Sequence, residues 1–219
     1  MVKVKICGLT NLEDAKTAYD CGADLLGFVF IKGTPRTVKD DRFVRDACKF
    51  GEDEPKTPHF VGLFKNEDPK KIAKIVSRCG LNYVQLQGEE SPGYCRRLRE
   101  MLAPGAGIIK AFRVGHEILR VAGKYIPGDY SADYLVFDTY DPELAGGTGK
   151  GFDRKILAAV KENIDKPFFV AGGLTPANVA ALIREVQPYG VDVSSGIERV
   201  PGKKDEKLLK EFIYNAKKA

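Results

Sequence analysis

Two side chains in this sequence stand where they could move protons, and both end an apolar strand. In Lys3-Val4-Lys5-Ile6-Cys7 a strand's two-residue period places Lys3, Lys5 and Cys7 on one face and Val4 and Ile6 on the other. A thiol that titrates near ~8.5 needs only modest electrostatic help to serve as a base near neutrality. Lys5, on the same face, offers it. Cys21, Cys48, Cys79 and Cys95 fall on or beside helical segments and read as small packing residues. The second group is Asp138, which closes Leu135-Val136-Phe137-Asp138. An acid there must be satisfied or functional, because stranded burial is expensive. Taken alone it is as readily a cap or turn former. The long glycine-rich run Tyr140–Gly151 behind it tips the reading toward function, since such a loop resembles a lid.

Anchors for anions complete the set. Ala171-Gly172-Gly173-Leu174 and Ser194-Ser195-Gly196 are turns whose glycines let backbone N–H groups approach a phosphate. The Thr175-Pro176 signal opens a helix directly after the first turn, which would add a favourable dipole. Arg36, after Thr34-Pro35, can grip a carboxylate through two parallel hydrogen bonds. Asp192 shares a face with Ser194, and we expect it to pair with Lys5 and offset that residue's burial.

Positioning such groups requires a sheet that gathers its strand ends. Eight apolar runs are strand candidates: Lys3–Cys7, Leu25–Phe30, Phe60–Lys65, Tyr83–Gln87, Ile108–Phe112, Leu135–Asp138, Phe168–Ala171 and Val191–Ser194. They are rich in Val, Ile, Leu and Phe, as strands covered on both faces should be. Helical segments alternate with them. Thr10 with Glu13 reads as a capping box, Asp68-Pro69 and Ser91-Pro92 as cap-then-proline starts, and Asp205 as the start of the last helix. Alternation of this kind implies a parallel α/β sheet with right-handed crossovers. Eight strands in 219 residues fit one compact single-domain (β/α)₈ barrel, residues 1–219. An open doubly wound sheet would carry a glycine fingerprint after its first strand, and Cys7-Gly8-Leu9-Thr10 is none. The glycine turns instead follow the last strands, where a barrel keeps its phosphate site.

Composition narrows the function classes. Lys and Arg outnumber Asp and Glu by five, an excess that suits an anionic small molecule but is too small and scattered for nucleic acid. No run approaches membrane-spanning length, and no signal peptide is visible. Five widely spaced cysteines without a CxxC point to reduced thiols in a cytoplasm. His59 and His116, far apart in the chain, make no metal constellation. Apolar residues on barrel loops are compatible with a homodimer.

The ordered motifs Lys5-Ile6-Cys7-Gly8-Leu9-Thr10, Gly27-Phe28-Val29-Phe30, Pro35-Arg36, Val84-Gln85-Leu86-Gln87-Gly88-Glu89, Asp138-Thr139, Gly146-Gly147-Thr148-Gly149, Ala171-Gly172-Gly173-Leu174 and Asp192-Val193-Ser194-Ser195-Gly196 resemble the phosphoribosylanthranilate isomerase family of tryptophan biosynthesis across nearly the whole chain. The resemblance implies a TIM barrel and a cofactor-free Amadori rearrangement. It further implies Asp138 as general acid, Cys7 as general base, Arg36 on the anthranilate carboxylate and the late glycine turns on the phosphate. Two positions depart from the family pattern. Gln87 stands where histidine is common, and Arg154 where tryptophan is common. Neither is a proposed proton carrier. The rival readings are another barrel isomerase or lyase acting on a sugar phosphate, and a catalytically silent phosphate-binding barrel. The related histidine-pathway isomerase uses aspartates as both acid and base, so a thiol at position 7 argues against it.

Overall fold

Side-chain caps start most of the helices among the described residues. In the computed structural model, which describes residues 1–50, 57–113, 130–138 and 164–219, Asp68, Ser91 and Asp205 each accept a backbone N–H three residues on. They open α3 (Pro69–Cys79), α4 (Pro92–Met101) and the C-terminal helix Glu206–Lys218. Proline fills the first turn of α3 and α4, where its missing N–H costs nothing. α3 ends on Gly80 in the left-handed conformation.

Two helix starts differ from expectation. The first helix, α1 (Leu12–Asp20), is capped by Asn11, whose Oδ1 takes the N–H of Asp14, so the cap lies one residue beyond the expected Thr10. Thr10 is engaged elsewhere: its hydroxyl donates to the carbonyl of Gly202 at 2.6 Å. The helix expected at Pro176 begins only at Val179 (α5, Val179–Val186). The Asn178 side chain accepts the Thr175 N–H at 2.8 Å and donates to the Gly173 carbonyl at 2.9 Å. These bonds close a turn that competes with helix. A short helix not anticipated from sequence, α2, spans Arg42–Ala47.

Eight strands close a parallel barrel in sequence order: β1 (Lys3–Ile6), β2 (Leu25–Val29), β3 (His59–Phe64), β4 (Tyr83–Leu86), β5 (Gly107–Arg113), β6 (Tyr134–Asp138), β7 (Phe168–Ala171) and β8 (Gly190–Val193). Each lies within a residue or two of its predicted run. Closure occurs between β1 and β8, where Lys5 is in register with Asp192. A short hairpin, β9 (Glu198–Val200) with β10 (Lys203–Lys204), then precedes the last helix, α6 (Glu206–Lys218). No sequence signal pointed to it.

The core has two layers. Val4, Ile6 and their counterparts pack outward against the helices, while Cys7, Val29, Leu63, Ala111, Val136 and Ala171 fill the barrel interior. At the N-terminal end of the barrel Tyr134 contacts both Tyr83 and Tyr189, with ring centroids 5.6 and 5.1 Å apart. The polar groups gather at the opposite mouth. Among the described residues no helix is long and apolar enough to cross a membrane.

Candidate active site

Period two along β1 carries Lys3, Lys5 and then Cys7 up the barrel interior, and the Cys7 N–H is tied to the Val193 carbonyl at 2.8 Å. Gly27 on β2 makes the space these side chains need. A Cβ there would stand 3.0 Å from the Cys7 sulfur and 3.2 Å from Lys5 Nζ. Asp138 arrives at the same mouth as the last residue of β6, half-buried.

Cys7 and Asp138 line one cavity of about 580 Å³, together with Arg36, Gly172, Gly173, Asp192, Ser195 and Gly196. Every sequence-predicted site residue except Lys5 therefore borders a single space, and Lys5 lies directly beneath it. The expected ion pair is present: Lys5 Nζ donates to Asp192 Oδ2 at 2.9 Å, with both side chains buried.

That pair sets the electrostatics around the thiol. Burial is the largest influence on Cys7 and pushes its thiol above the ordinary range. The positive charge of Lys5, and a hydrogen bond from it, pull the other way but do not overcome burial, so Lys5 does not bring the thiol toward neutrality as the sequence suggested. Lys5 itself is held above its usual value: burial acts to lower it, but Asp192 and Cys7 outweigh that effect. A lone buried cation or anion would be costly, so each partner depends on the other. Lys5→Met should destabilise the fold by roughly 3–5 kcal/mol, because Asp192 is left buried and unpaired. Urea unfolding would measure it, and a Lys5→Met/Asp192→Leu double variant should recover most of the loss. Equal losses in single and double variants would contradict this account of the pair.

The two glycine turns lie against each other. A Cβ on Gly196 would overlap the Leu174 carbonyl oxygen at 1.8 Å, so nothing larger fits. Gly173 adopts φ +62°, and a Cβ there would meet nothing within 4 Å, which leaves its backbone bare to the cavity. Asp192 Oδ1 and Ser194 Oγ are buried and find no hydrogen-bond partner among the described residues. Both residues line the cavity. Buried acceptors in this state call for a donor supplied by a ligand or solvent.

Arg36 is engaged with protein as well as facing the cavity. Its Nε and Nη2 donate to the two carboxylate oxygens of Glu198 at 2.8 and 2.6 Å. Sequence reasoning missed Glu198. It also missed Lys65 and Arg113, cations that line the cavity after β3 and at the end of β5. Strand parity would have found them: Ile109, Ala111 and Arg113 alternate inward, as do Val61, Leu63 and Lys65. Gln87 lines the cavity too. The glycine-rich run Tyr140–Gly151, Arg154 and His116 lie outside the described residues.

A cavity ringed by a thiol, a carboxyl, an arginine and two bare glycine turns suits a small anionic molecule that undergoes proton transfers. Comparisons with known proteins agree. The family described as N-(5'phosphoribosyl)anthranilate (PRA) isomerase matches residues 4–215. Curated relatives named N-(5'-phosphoribosyl)anthranilate isomerase include that of Trichlorobacter lovleyi, 44% identical over the full length of both chains. That of Desulforudis audaxviator is 42% identical over the same extent. Among solved structures, phosphoribosyl anthranilate isomerase from Thermotoga maritima superposes with a TM-score of 0.84 at 40% identity, covering all of both chains. A phosphoribosyl anthranilate isomerase in complex with reduced 1-(o-carboxyphenylamino)-1-deoxyribulose 5-phosphate superposes at 0.82 with 37% identity, again over all of both chains. This chain belongs to the N-(5'-phosphoribosyl)anthranilate isomerase family.

Proposed function

We propose that the chain rearranges N-(5-phosphoribosyl)anthranilate to 1-(2-carboxyphenylamino)-1-deoxyribulose 5-phosphate, a step of tryptophan biosynthesis, and that Cys7 and Asp138 carry its proton transfers. Asp138 donates a proton to the ribose ring oxygen as the C1′–O bond breaks, and the anilino nitrogen's lone pair forms the C1′=N⁺ Schiff base. The Cys7 thiolate then removes the C2′ proton. The released electron pair becomes the C1′=C2′ bond of an enolamine, and the nitrogen recovers its lone pair. Ketonisation loses the C2′ hydroxyl proton and returns one to C1′. Two sites of proton transfer call for two groups in opposite protonation states, which a thiolate and a carboxylic acid supply.

The observation that carries this reading is the shared cavity. Thiol and carboxyl border one space, with Arg36 at the rim and the Gly172-Gly173 and Ser195-Gly196 turns beside it. The substrate carries a carboxylate at one end and a phosphate at the other. Arg36 and the turns give each end an anchor and hold the ribose between acid and base, a placement that saves much of the entropic barrier. No cofactor enters the scheme.

Two coarser features belong to the same reading. All five cysteines are free thiols, which suits a cytoplasmic setting. A Thermotoga maritima structure at 37% identity and a TM-score of 0.81 is described as generated monomers of a dimeric phosphoribosylanthranilate isomerase; the dimeric parent supports a homodimer here. The purified chain, given freshly made phosphoribosylanthranilate, should consume it with loss of the substrate's fluorescence. Binding without turnover would favour a silent phosphate-binding barrel instead.

A further inference from the structure

The β9–β10 hairpin has no part in closing the barrel, yet it places two deeply buried charges beside the cavity. The Glu198 side chain is 4% exposed and that of Lys204 1%. Lys204 Nζ donates to Glu198 Oε1 at 3.0 Å and to the Ser194 carbonyl at 3.0 Å. Glu198 in turn holds Arg36 through both carboxylate oxygens. Burial acts to raise the Glu198 pKa, but Arg36 and Lys204 outweigh it and hold the carboxyl below its ordinary range. The group is therefore anionic at any neutral pH.

The stereochemistry of that grip is informative. A guanidinium has five N–H donors in one plane. Glu198 takes the edge formed by Nε and Nη2. What remains is the Nη1–Nη2 edge, whose two parallel N–H groups match a second carboxylate. The Arg36 side chain keeps 26% exposure and lines the cavity. Its stem is held as well. A Cβ on Gly8 (φ +75°) would stand 2.6 Å from Arg36 Cδ, so the stem crosses bare backbone next to Cys7.

Charge completes the device. Arg36 with Glu198 alone would be a neutral pair. Burial lowers the Lys204 pKa and Glu198 opposes the shift; as a second cation Lys204 leaves the trio one net positive charge at the rim. The hairpin is seated firmly enough to hold this arrangement. Thr10 Oγ1 donates to the Gly202 carbonyl, Lys204 N donates to Asp14 Oδ2 at 3.0 Å, and a Cβ on Gly202 would stand 2.7 Å from the Pro35 carbonyl. The loops after β1 and β2 are thus pinned to the hairpin.

We propose that Glu198 and Lys204 are positioning residues that turn the free edge of Arg36 toward the cavity and preserve its charge for the substrate's carboxylate. The proposal rests on the reading of Arg36 as that carboxylate's anchor. It assigns the hairpin a role in specificity, since a sugar phosphate without an acidic aglycone would gain nothing from it.

The test is a double-mutant cycle of Glu198→Gln and Arg36→Ala, with steady-state kinetics and binding of two inert probes. One probe is reduced 1-(o-carboxyphenylamino)-1-deoxyribulose 5-phosphate, and the other its counterpart without the ring carboxylate. Glu198→Gln should raise KM by about tenfold, the worth of one charge-assisted hydrogen bond, with little change in kcat. It should weaken the carboxylated probe and spare the other. In the Arg36→Ala background it should change KM by less than about twofold, because coupled residues do not add. Equal effects with and without Arg36, or equal weakening of both probes, would overturn the positioning role. An unchanged KM in Arg36→Ala would instead overturn the anchor reading itself. Should Glu198→Gln lose its circular-dichroism melt, Glu198→Asp keeps the charge but shortens the reach. Its KM should rise while kcat holds, and a wild-type KM would count against the proposal.

Discussion

Cys7→Ser should lower kcat by about 10²–10⁴-fold, the usual contribution of a positioned general base, while the protein melts close to the wild type. Serine fills nearly the same volume in the tight space beside Gly27, so packing is spared. What disappears is the only one of the two side chains whose proton can be removed at an accessible pH, since an alcohol ionises far above a thiol. The pH dependence carries the same signature. The deprotonated thiol is the active form, so kcat/KM of the wild type should climb with pH as Cys7 ionises. Burial moves that ionisation to higher pH and Lys5 only partly offsets the move, so the rising limb should lie on the alkaline side of a free thiol's. Cys7→Ser should abolish the limb. Near-normal turnover, or an unchanged pH profile, would remove Cys7 from the mechanism.

Asp138→Asn should cost a similar factor in kcat with little effect on KM. The amide keeps the size and hydrogen-bonding reach of the carboxyl but has no acidic proton for the ring oxygen. A loss shared equally by kcat and kcat/KM is the mark of an interaction made in the transition state alone. Because ring opening precedes removal of the C2′ proton, the Cys7→Ser/Asp138→Asn double variant should be little worse than the poorer single one. A strictly multiplicative loss would place both groups in one rate-limiting transition state and contradict a scheme of two successive steps.

The barrel was legible because each strand is a short apolar run set between capped or proline-started helices, and those signals are local. Site residues were legible for a related reason. In a closed barrel the C-terminal strand ends share one mouth, so Cys7, Asp138 and the turns at Gly172 and Ser195 converge wherever they lie in the chain. The Lys5–Asp192 pair followed from strand parity and the adjacency of first and last strands. Harder to see were features decided by contacts across the mouth. Asn11 displaced Thr10 as a cap because the Thr10 hydroxyl serves Gly202. Asn178 delayed α5 by bonding back to the glycine turn. The Arg36–Glu198–Lys204 cluster joins a loop after β2 to a hairpin after β8, and nothing in the spacing of those residues announces it.

The account rests on one arrangement, a ribose held between the sulfur of Cys7 and the carboxyl of Asp138. Its most direct measurement is a crystal structure of this chain with reduced 1-(o-carboxyphenylamino)-1-deoxyribulose 5-phosphate. We expect C2′ about 3–3.5 Å from the Cys7 sulfur, the near-attack range, with the ring carboxylate on Arg36 and the phosphate against the Gly172-Gly173 and Ser195-Gly196 turns. A ligand bound in the reverse sense, or a C2′ atom turned away from the sulfur, would contradict it.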